Sequence, residues 1–109
     1  MTFRTFSSLL FLLGASHAPA APQADVAGFR NNVRPLLDKY CMDCHDADTK
    51  KGRFDLESLS PDVLSDDDAL EQWRLVEEQL HFGDMPPEKK KQPAAAERAA
   101  LLHWVRSEL

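Results

Sequence analysis

The sequence predicts a small all-α domain made of three main helices joined by long loops. Apolar residues recur at intervals of three and four in three separate segments, which is the periodicity of an amphipathic helix. No segment shows the strict apolar–polar alternation of a half-buried strand, and no internal repeat is present. A chain of 109 residues can form only one small domain with a thin core.

The first twenty residues are expected to be a secretory signal peptide and not part of the fold. Arg4 gives a positive start, residues 9–13 form an apolar run, and residues 18–20 have the small-x-small form of a cleavage site. The run is much shorter than the roughly 20 residues needed to cross a bilayer, so we expect no permanent membrane span. Residues 21–26 are then a spacer, and residues 27–109 form a domain exported to the periplasm or an equivalent compartment.

The first helix is predicted from about Ala27 into Cys44. Its apolar residues recur at helical spacing: Val26, Phe29, Val33, Leu36, Leu37 and Tyr40. Pro35 lies inside this pattern and removes one backbone donor. We therefore expect either a kink at this proline or a true helix start near Arg34.

The second helix is predicted to follow a polar surface loop, residues 46–60. Ser65, with Asp68 three residues later, resembles a capping box at the start of a helix. The apolar periodicity then extends to about Phe82. Gly83 directly after it is a typical C-terminal stop.

The last helix is predicted from about Ala94 to the C-terminus. Its apolar residues lie on or near one face: Ala100, Leu101, Trp104, Val105 and Leu109. Pro86 and Pro87 separate it from the second helix, because a proline pair prevents a helix from resuming. Residues 89–93 are expected to form a basic, mobile connection.

The charge balance of the chain is acidic, with 18 Asp and Glu against 13 Lys and Arg and a net charge of −5. Binding to nucleic acid is disfavoured, since phosphates are recognised by Lys and Arg. An acidic surface instead favours protein partners that present basic patches, which electrostatic steering helps to find.

Cys41, Cys44 and His45 form the pattern C-x-x-C-H, which is the attachment signature of a c-type haem. Two thiols three positions apart on one helical turn can each form a thioether to a haem vinyl group, and the adjacent histidine then lies under the iron. The chain has no other cysteine. A disulfide between these two would close too small a loop to constrain much of the chain. The motif therefore predicts one covalent haem c with His45 as an iron ligand.

Met85 is the leading candidate for the sixth iron ligand. Met42 lies inside the attachment turn and cannot reach the opposite face of the ring, whereas Met85 is far enough along the chain to wrap the haem. The two prolines that follow it stiffen the loop. His81 is the alternative, and bis-histidine ligation would lower the redox potential relative to His/Met. The acceptor that His45 Nδ1 needs is not identifiable from the sequence.

Two further residues are candidates for contacts to the haem propionates. Trp73 could donate its indole N–H, although a tryptophan on an apolar helix face is usually a core residue. Arg53 could pair through its charge, although a solvated arginine is the common alternative.

These residues resemble the cytochrome c domain called planctomycete-type, a branch of the class I cytochromes c. The matching positions span residues 29–109 and are Phe29-x3-Val33-x-Pro35-x-Leu37, Cys41-x2-Cys44-His45, Lys51-Gly52, Trp73, Leu80-x2-Gly83-Asp84-Met85-Pro86-Pro87 and Glu97-Arg98-x2-Leu101-x2-Trp104-Val105. The resemblance implies a small class I cytochrome c-like fold with haem-wrapping loops and covalent haem c. It also implies His45 and Met85 as axial ligands and one-electron transfer outside the cytoplasm.

The chain departs from the wider class I pattern at two points. That fold packs a glycine eight residues before the first cysteine, and an aromatic four before it, against an aromatic of the last helix. Here those positions are Val33 and Leu37, and Phe29 lies earlier. We therefore expect Trp104 to pack on the first helix with a shifted crossing. A proline shortly after the haem histidine, whose carbonyl often holds Nδ1, is also missing.

Three classes of function are open from the sequence. An electron carrier is favoured, because a methionine on the iron leaves no vacant site. A haem-based enzyme subunit, or a gas or redox sensor, would need Met85 to be absent or displaceable. A module without haem would use Cys41 and Cys44 as a dithiol pair, or with His45 and His81 as zinc ligands. The dithiol version lacks the expected βαβ context, and the zinc version has irregular spacing.

Overall fold

The computed structural model describes residues 14–19 and 23–109. The apolar run of the expected signal peptide, its cleavage residue Ala20 and the start of the spacer lie outside the described residues. All regular structure in the described part is helical, which confirms the predicted all-α class. None of the described helices combines the length and the apolar character that a membrane crossing requires.

The N-terminal helix is continuous from Val26 to Tyr40, but its winding changes before Pro35. α1 (Val26–Gly28) leads into a π-helical segment (Phe29–Val33), and α2 (Arg34–Tyr40) begins with Pro35 in its first turn. A proline has no N–H to donate, and its ring clashes with the carbonyl one turn earlier. The wider π turn accommodates both effects. The predicted irregularity at Pro35 is confirmed, whereas the alternative of a true helix start near Arg34 is wrong, because the helix already begins at Val26.

The C-x-x-C-H motif forms its own helical turn, α3 (Met42–His45). The predicted single helix into Cys44 is interrupted at Cys41, whose φ of −122° lies outside the helical region. The N–H of Cys41 still donates to the carbonyl of Leu37 at 2.8 Å. The motif is therefore not a continuation of α2, but a backbone hydrogen bond still joins Cys41 to the end of that helix.

α4 (Asp67–Phe82) has a different cap from the predicted one. Its N-cap is Asp66 and not Ser65, because Oδ1 of Asp66 accepts the N–H of Ala69 at 2.7 Å. The capping-box prediction is wrong by one position. A carboxylate is as good a cap as a hydroxyl, and it also suits the positive end of the helix dipole.

The C-terminal end of α4 confirms the predicted stop at Gly83. This glycine has φ +74°, and the carbonyl of Gln79 accepts the N–H groups of both Gly83 and Asp84. Two such bonds and a left-handed glycine are typical of the way helices terminate. The chain therefore turns sharply and presents Met85 two residues later.

α5 (Ala95–Glu108) packs against α4 and the π-helical segment. Phe29, Trp73 and Trp104 form an aromatic cluster, with ring centroids 5.2 Å apart for Phe29–Trp104 and 5.1 Å apart for Trp73–Trp104. Among the residues that the structure describes, eleven buried apolar side chains form the core: Val33, Leu37, Leu56, Leu59, Val63, Ala69, Trp73, Leu80, Leu101, Trp104 and Val105. Phe29 supplies the aromatic partner of the last helix, so the predicted packing of Trp104 on the first helix is confirmed.

Candidate functional site

A cavity of about 560 Å³ lies between α2, the C-x-x-C-H turn, α4 and the loop that follows α4. Its volume is in the range of small-molecule and cofactor sites. Most of its wall is apolar, from Leu37, Phe54, Leu56, Leu75, Val76, Leu80, Pro86 and Pro87. The four residues predicted to hold haem, Cys41, Cys44, His45 and Met85, all line this cavity. The fold thus brings together residues from both ends of the predicted site.

Cys41 and Cys44 are free, half-buried thiols on the cavity wall. Burial raises the pKa of Cys41 to about 11, and the nearby charge of Arg98 offsets this only in part. The thiol of Cys41 is therefore neutral near pH 7. A redox-active cysteine reacts as its thiolate, so this environment disfavours the dithiol alternative. In the described part of the chain, no three His, Cys, Asp or Glu side chains are grouped closely enough to hold a metal ion.

His45 has the acceptor that the sequence did not identify. Its Nδ1 lies 3.2 Å from the carbonyl oxygen of Phe54, and the two rings pack edge to face with centroids 5.5 Å apart. A carbonyl can only accept, so the Nδ1 proton is fixed and Nε2 keeps its lone pair for a metal. In the wider class I pattern a proline carbonyl often accepts from Nδ1 of this histidine, and here the acceptor is the carbonyl of Phe54.

The loop between His45 and α4 is folded back onto the motif. The N–H of Leu56 donates to the carbonyl of His45 at 2.9 Å, and Asp46 Oδ1 accepts the N–H of Thr49 at 2.6 Å. Gly52 has φ +67°, a backbone conformation that other residues adopt only with strain. This tight return is what places the Phe54 carbonyl beside the His45 ring.

Met85 is held through its backbone, which leaves its thioether free. Its carbonyl accepts Nη1 of Arg98 at 3.1 Å, and its side chain lines the cavity. The following carbonyls of Pro86 and Pro87 accept Nε2 of Gln92 at 3.1 and 2.9 Å. The expected mobile connection, residues 89–93, therefore has defined contacts with the loop that carries Met85.

Three predicted site residues lie away from the cavity wall. His81 has its Nδ1 2.9 Å from Nη2 of Arg106, and it is exposed on the side of α4 that faces α5. Trp73 is fully buried, and its indole N–H donates to the carbonyl of Ser60 at 2.7 Å. Arg53 is exposed and does not line the cavity. None of these three residues is on the cavity wall, so ligation by His81 and propionate contacts from Trp73 and Arg53 stay predictions.

Four lysines that were not among the predicted site residues also line the cavity. Lys39, Lys51, Lys90 and Lys91 all lie on its wall. Nζ of Lys39 and of Lys91 lie 5.1 and 5.9 Å from the centre of the Tyr40 ring, within the range of cation–π attraction. The run of lysines at residues 89–91 is visible in the sequence, but only the fold shows that Lys90 and Lys91 lie on the cavity wall.

Glu97, in the first turn of α5, fastens that helix to the residue before Cys41. Its Oε1 accepts the hydroxyl of Tyr40 at 2.6 Å and the N–H of Ala94 at 3.0 Å, and its Oε2 lies 3.8 Å from Nζ of Lys39. The Tyr40 hydrogen bond, followed by the Ala94 backbone bond, lowers the pKa of Glu97.

Glu97→Gln is expected to reduce stability at neutral pH but not in acid. A lowered pKa means that the charged carboxylate stabilises the fold above its ordinary value of 4.5, and that this contribution is lost as pH falls through the lower pKa of the folded state. Thermal unfolding of the wild type and the variant between about pH 3 and pH 7 measures the difference. The two melting temperatures should converge in acid. Glu88→Gln, at an exposed carboxylate, is the control, and an equal pH profile for both variants would contradict the assignment.

The comparison with known families agrees with this geometry. Residues 41–89 match the family model for planctomycete cytochrome C. The matched range starts at the first motif cysteine and includes the returning loop, α4 and Met85, which form most of the cavity wall. The resemblance seen in the sequence is confirmed, and the match supports haem c and haem-based electron transfer. No curated protein and no solved structure matches the chain.

Proposed function

Because residues 41–89 match the planctomycete cytochrome C family, we propose that the chain is a one-electron carrier with a single haem c. Cys41 and Cys44 attach the haem, and His45 and Met85 bind its iron. One observation supports this above the others: both thiols, the oriented imidazole and the thioether line the same apolar cavity. Cytochrome c domains are typically extracytoplasmic, and we propose an exported, periplasmic location for this one.

Each cavity residue has a distinct part in this proposal. Haem c, when bound, supplies an iron that changes its charge by one electron. His45 is oriented by the Phe54 carbonyl and presents Nε2 to the metal. The thioether of Met85 favours the reduced state and raises the potential. The apolar walls exclude water, which keeps the surroundings of the site similar in both oxidation states.

The lysines of the cavity wall replace Trp73 and Arg53 in the proposed binding of the propionates. Lys39, Lys51 and the pair Lys90–Lys91 offer ammonium groups on the wall of an otherwise apolar cavity. A lysine ammonium group on the cavity wall would offset the loss of hydration of a propionate carboxylate. That the partner is a redox protein with basic patches stays a prediction. Such a partner would bind acidic parts of the surface and not the lysine-lined part of the cavity.

The experiment that tests the function starts from protein made in a host with a haem-attachment system. A pyridine haemochrome spectrum should report one covalent haem, and a redox titration should show one reversible one-electron step. The reduced protein should not bind carbon monoxide at neutral pH, because Met85 occupies the iron. Carbon monoxide binding would favour the sensor or enzyme alternative. A colourless product with two alkylatable thiols would exclude haem.

A further inference from the structure

Arg98 joins three separate segments next to Met85. Its Nη1 donates to the carbonyls of Leu80 at 3.3 Å and Met85 at 3.1 Å, and its Nη2 donates to Oε1 of Gln92 at 3.1 Å. The side chain is half-buried, and it takes part in none of the ion pairs between described residues. The hydrogen-bonding capacity of this guanidinium is therefore directed at backbone and amide oxygens around the methionine.

The carbonyls that Arg98 contacts have few other donors. Leu80 lies in the last turn of α4, where helix carbonyls lack partners within the helix. Within the described chain, Arg98 is the only hydrogen-bond donor to the carbonyl of Met85. The guanidinium is planar, and its donors have fixed directions. It therefore fixes the orientation of the Met85 peptide relative to the end of α4.

Gln92 extends the same network to the residues after Met85. Its Nε2 donates to the carbonyls of Pro86, Pro87 and Lys90, and its Oε1 accepts from Arg98. The loop from Met85 to Lys90 is thus held on α5 by one arginine and one glutamine.

We infer that Arg98 is a positioning residue that keeps the Met85 thioether in place for iron, and so sets how easily another ligand displaces it. The inference rests on the proposed His45/Met85 ligation. A ligand held in its binding position loses less freedom when it binds, so the network strengthens the iron–sulfur bond without touching the iron. Without Arg98 the loop has more freedom, and an external ligand competes more successfully.

The test is a titration of the oxidised haem protein with imidazole. Arg98→Met should bind imidazole roughly tenfold more tightly than the wild type, since a hydrogen bond from a charged donor to the loop is lost. Arg98→Lys keeps the charge but not the fork, and its affinity should lie between the two. Gln92→Ala should increase the affinity by a few fold, and it serves as a second variant should Arg98→Met not fold.

Arg106→Met is the matched control, because Arg106 lies on the same helix and contacts Glu77 and His81 instead of the loop. Its imidazole affinity should equal that of the wild type. The methionine-to-iron charge-transfer band at the red end of the visible spectrum gives an independent readout, and it should weaken in Arg98→Met but not in the control.

Two results would overturn the inference in distinguishable ways. A wild type that has the charge-transfer band, with Arg98→Met and Gln92→Ala both unchanged in band and imidazole affinity, would refute the role of Arg98 alone. A wild type without the band would refute ligation by Met85, and the positioning role would be refuted with it.

Discussion

Replacing both Cys41 and Cys44 by alanine is expected to give a colourless and largely unfolded chain. The cavity of about 560 Å³ has mostly apolar walls, and without haem these walls face water. The buried core holds only eleven residues of the described chain, which is little for a domain of this size. Binding of a buried group by a chain that cannot fold alone makes binding and folding one event.

Far-UV circular dichroism and a thermal melt of the double variant measure this effect. Most of the helical signal should be absent at room temperature, and no cooperative transition should be seen. Cys44→Ala alone is the control, since one thioether still tethers the haem, and it should keep both colour and fold with a lower melting temperature. A double variant with wild-type helicity and a sharp melt would show that the polypeptide does not depend on the cofactor.

Met85→Ala is expected to abolish the charge-transfer band and to lower the redox potential by on the order of 0.1 V, a fraction of the range that axial ligands control. The thioether favours reduced iron, so its loss stabilises the oxidised state. The variant should also bind carbon monoxide when reduced, because the sixth position becomes free. The fold should survive, since Met85 is 37% exposed and contributes little to the core.

Met42→Ala is the matched control for this variant. Met42 is in the attachment turn and packs against the buried core instead of lining the cavity. The control should keep the band and the potential while losing some thermal stability. An unchanged band in Met85→Ala would show that another group, or none, occupies the sixth position.

The parts of this protein that could be predicted from sequence are those with a local chemical cause. The spacing of Cys41, Cys44 and His45 specifies an attachment turn. Pro35 removes a backbone donor, and Gly83 can take the left-handed conformation that ends a helix without strain, so the irregular first helix and the end of α4 could be predicted directly.

The contacts that complete the site depend on backbone atoms, which every residue has. The carbonyl of Phe54 holds His45, and the carbonyl of Met85 is held by Arg98. No residue type indicates such an acceptor, because its position depends on how the loop returns. The lack of a proline shortly after His45 gave no indication that a backbone carbonyl would still accept from Nδ1.

Two predicted site residues do not line the cavity for a different reason, which is the side of a helix on which each lies. His81 and Trp73 are both on α4, but neither belongs to the part of that helix that lines the cavity. Trp73 faces the core, and His81 faces Arg106 on α5. Periodicity shows that α4 has apolar residues on one side. It does not show which of them face the core and which face the cavity.

Glu97 and Arg98 are neighbours in α5, and they fasten the two segments that the iron would join: Tyr40 beside the attachment turn, and Met85. In the described chain, α5 contributes no residue to the cavity wall, yet it holds both of these segments. Loss of the last helix is therefore expected to open the cavity from two sides at once.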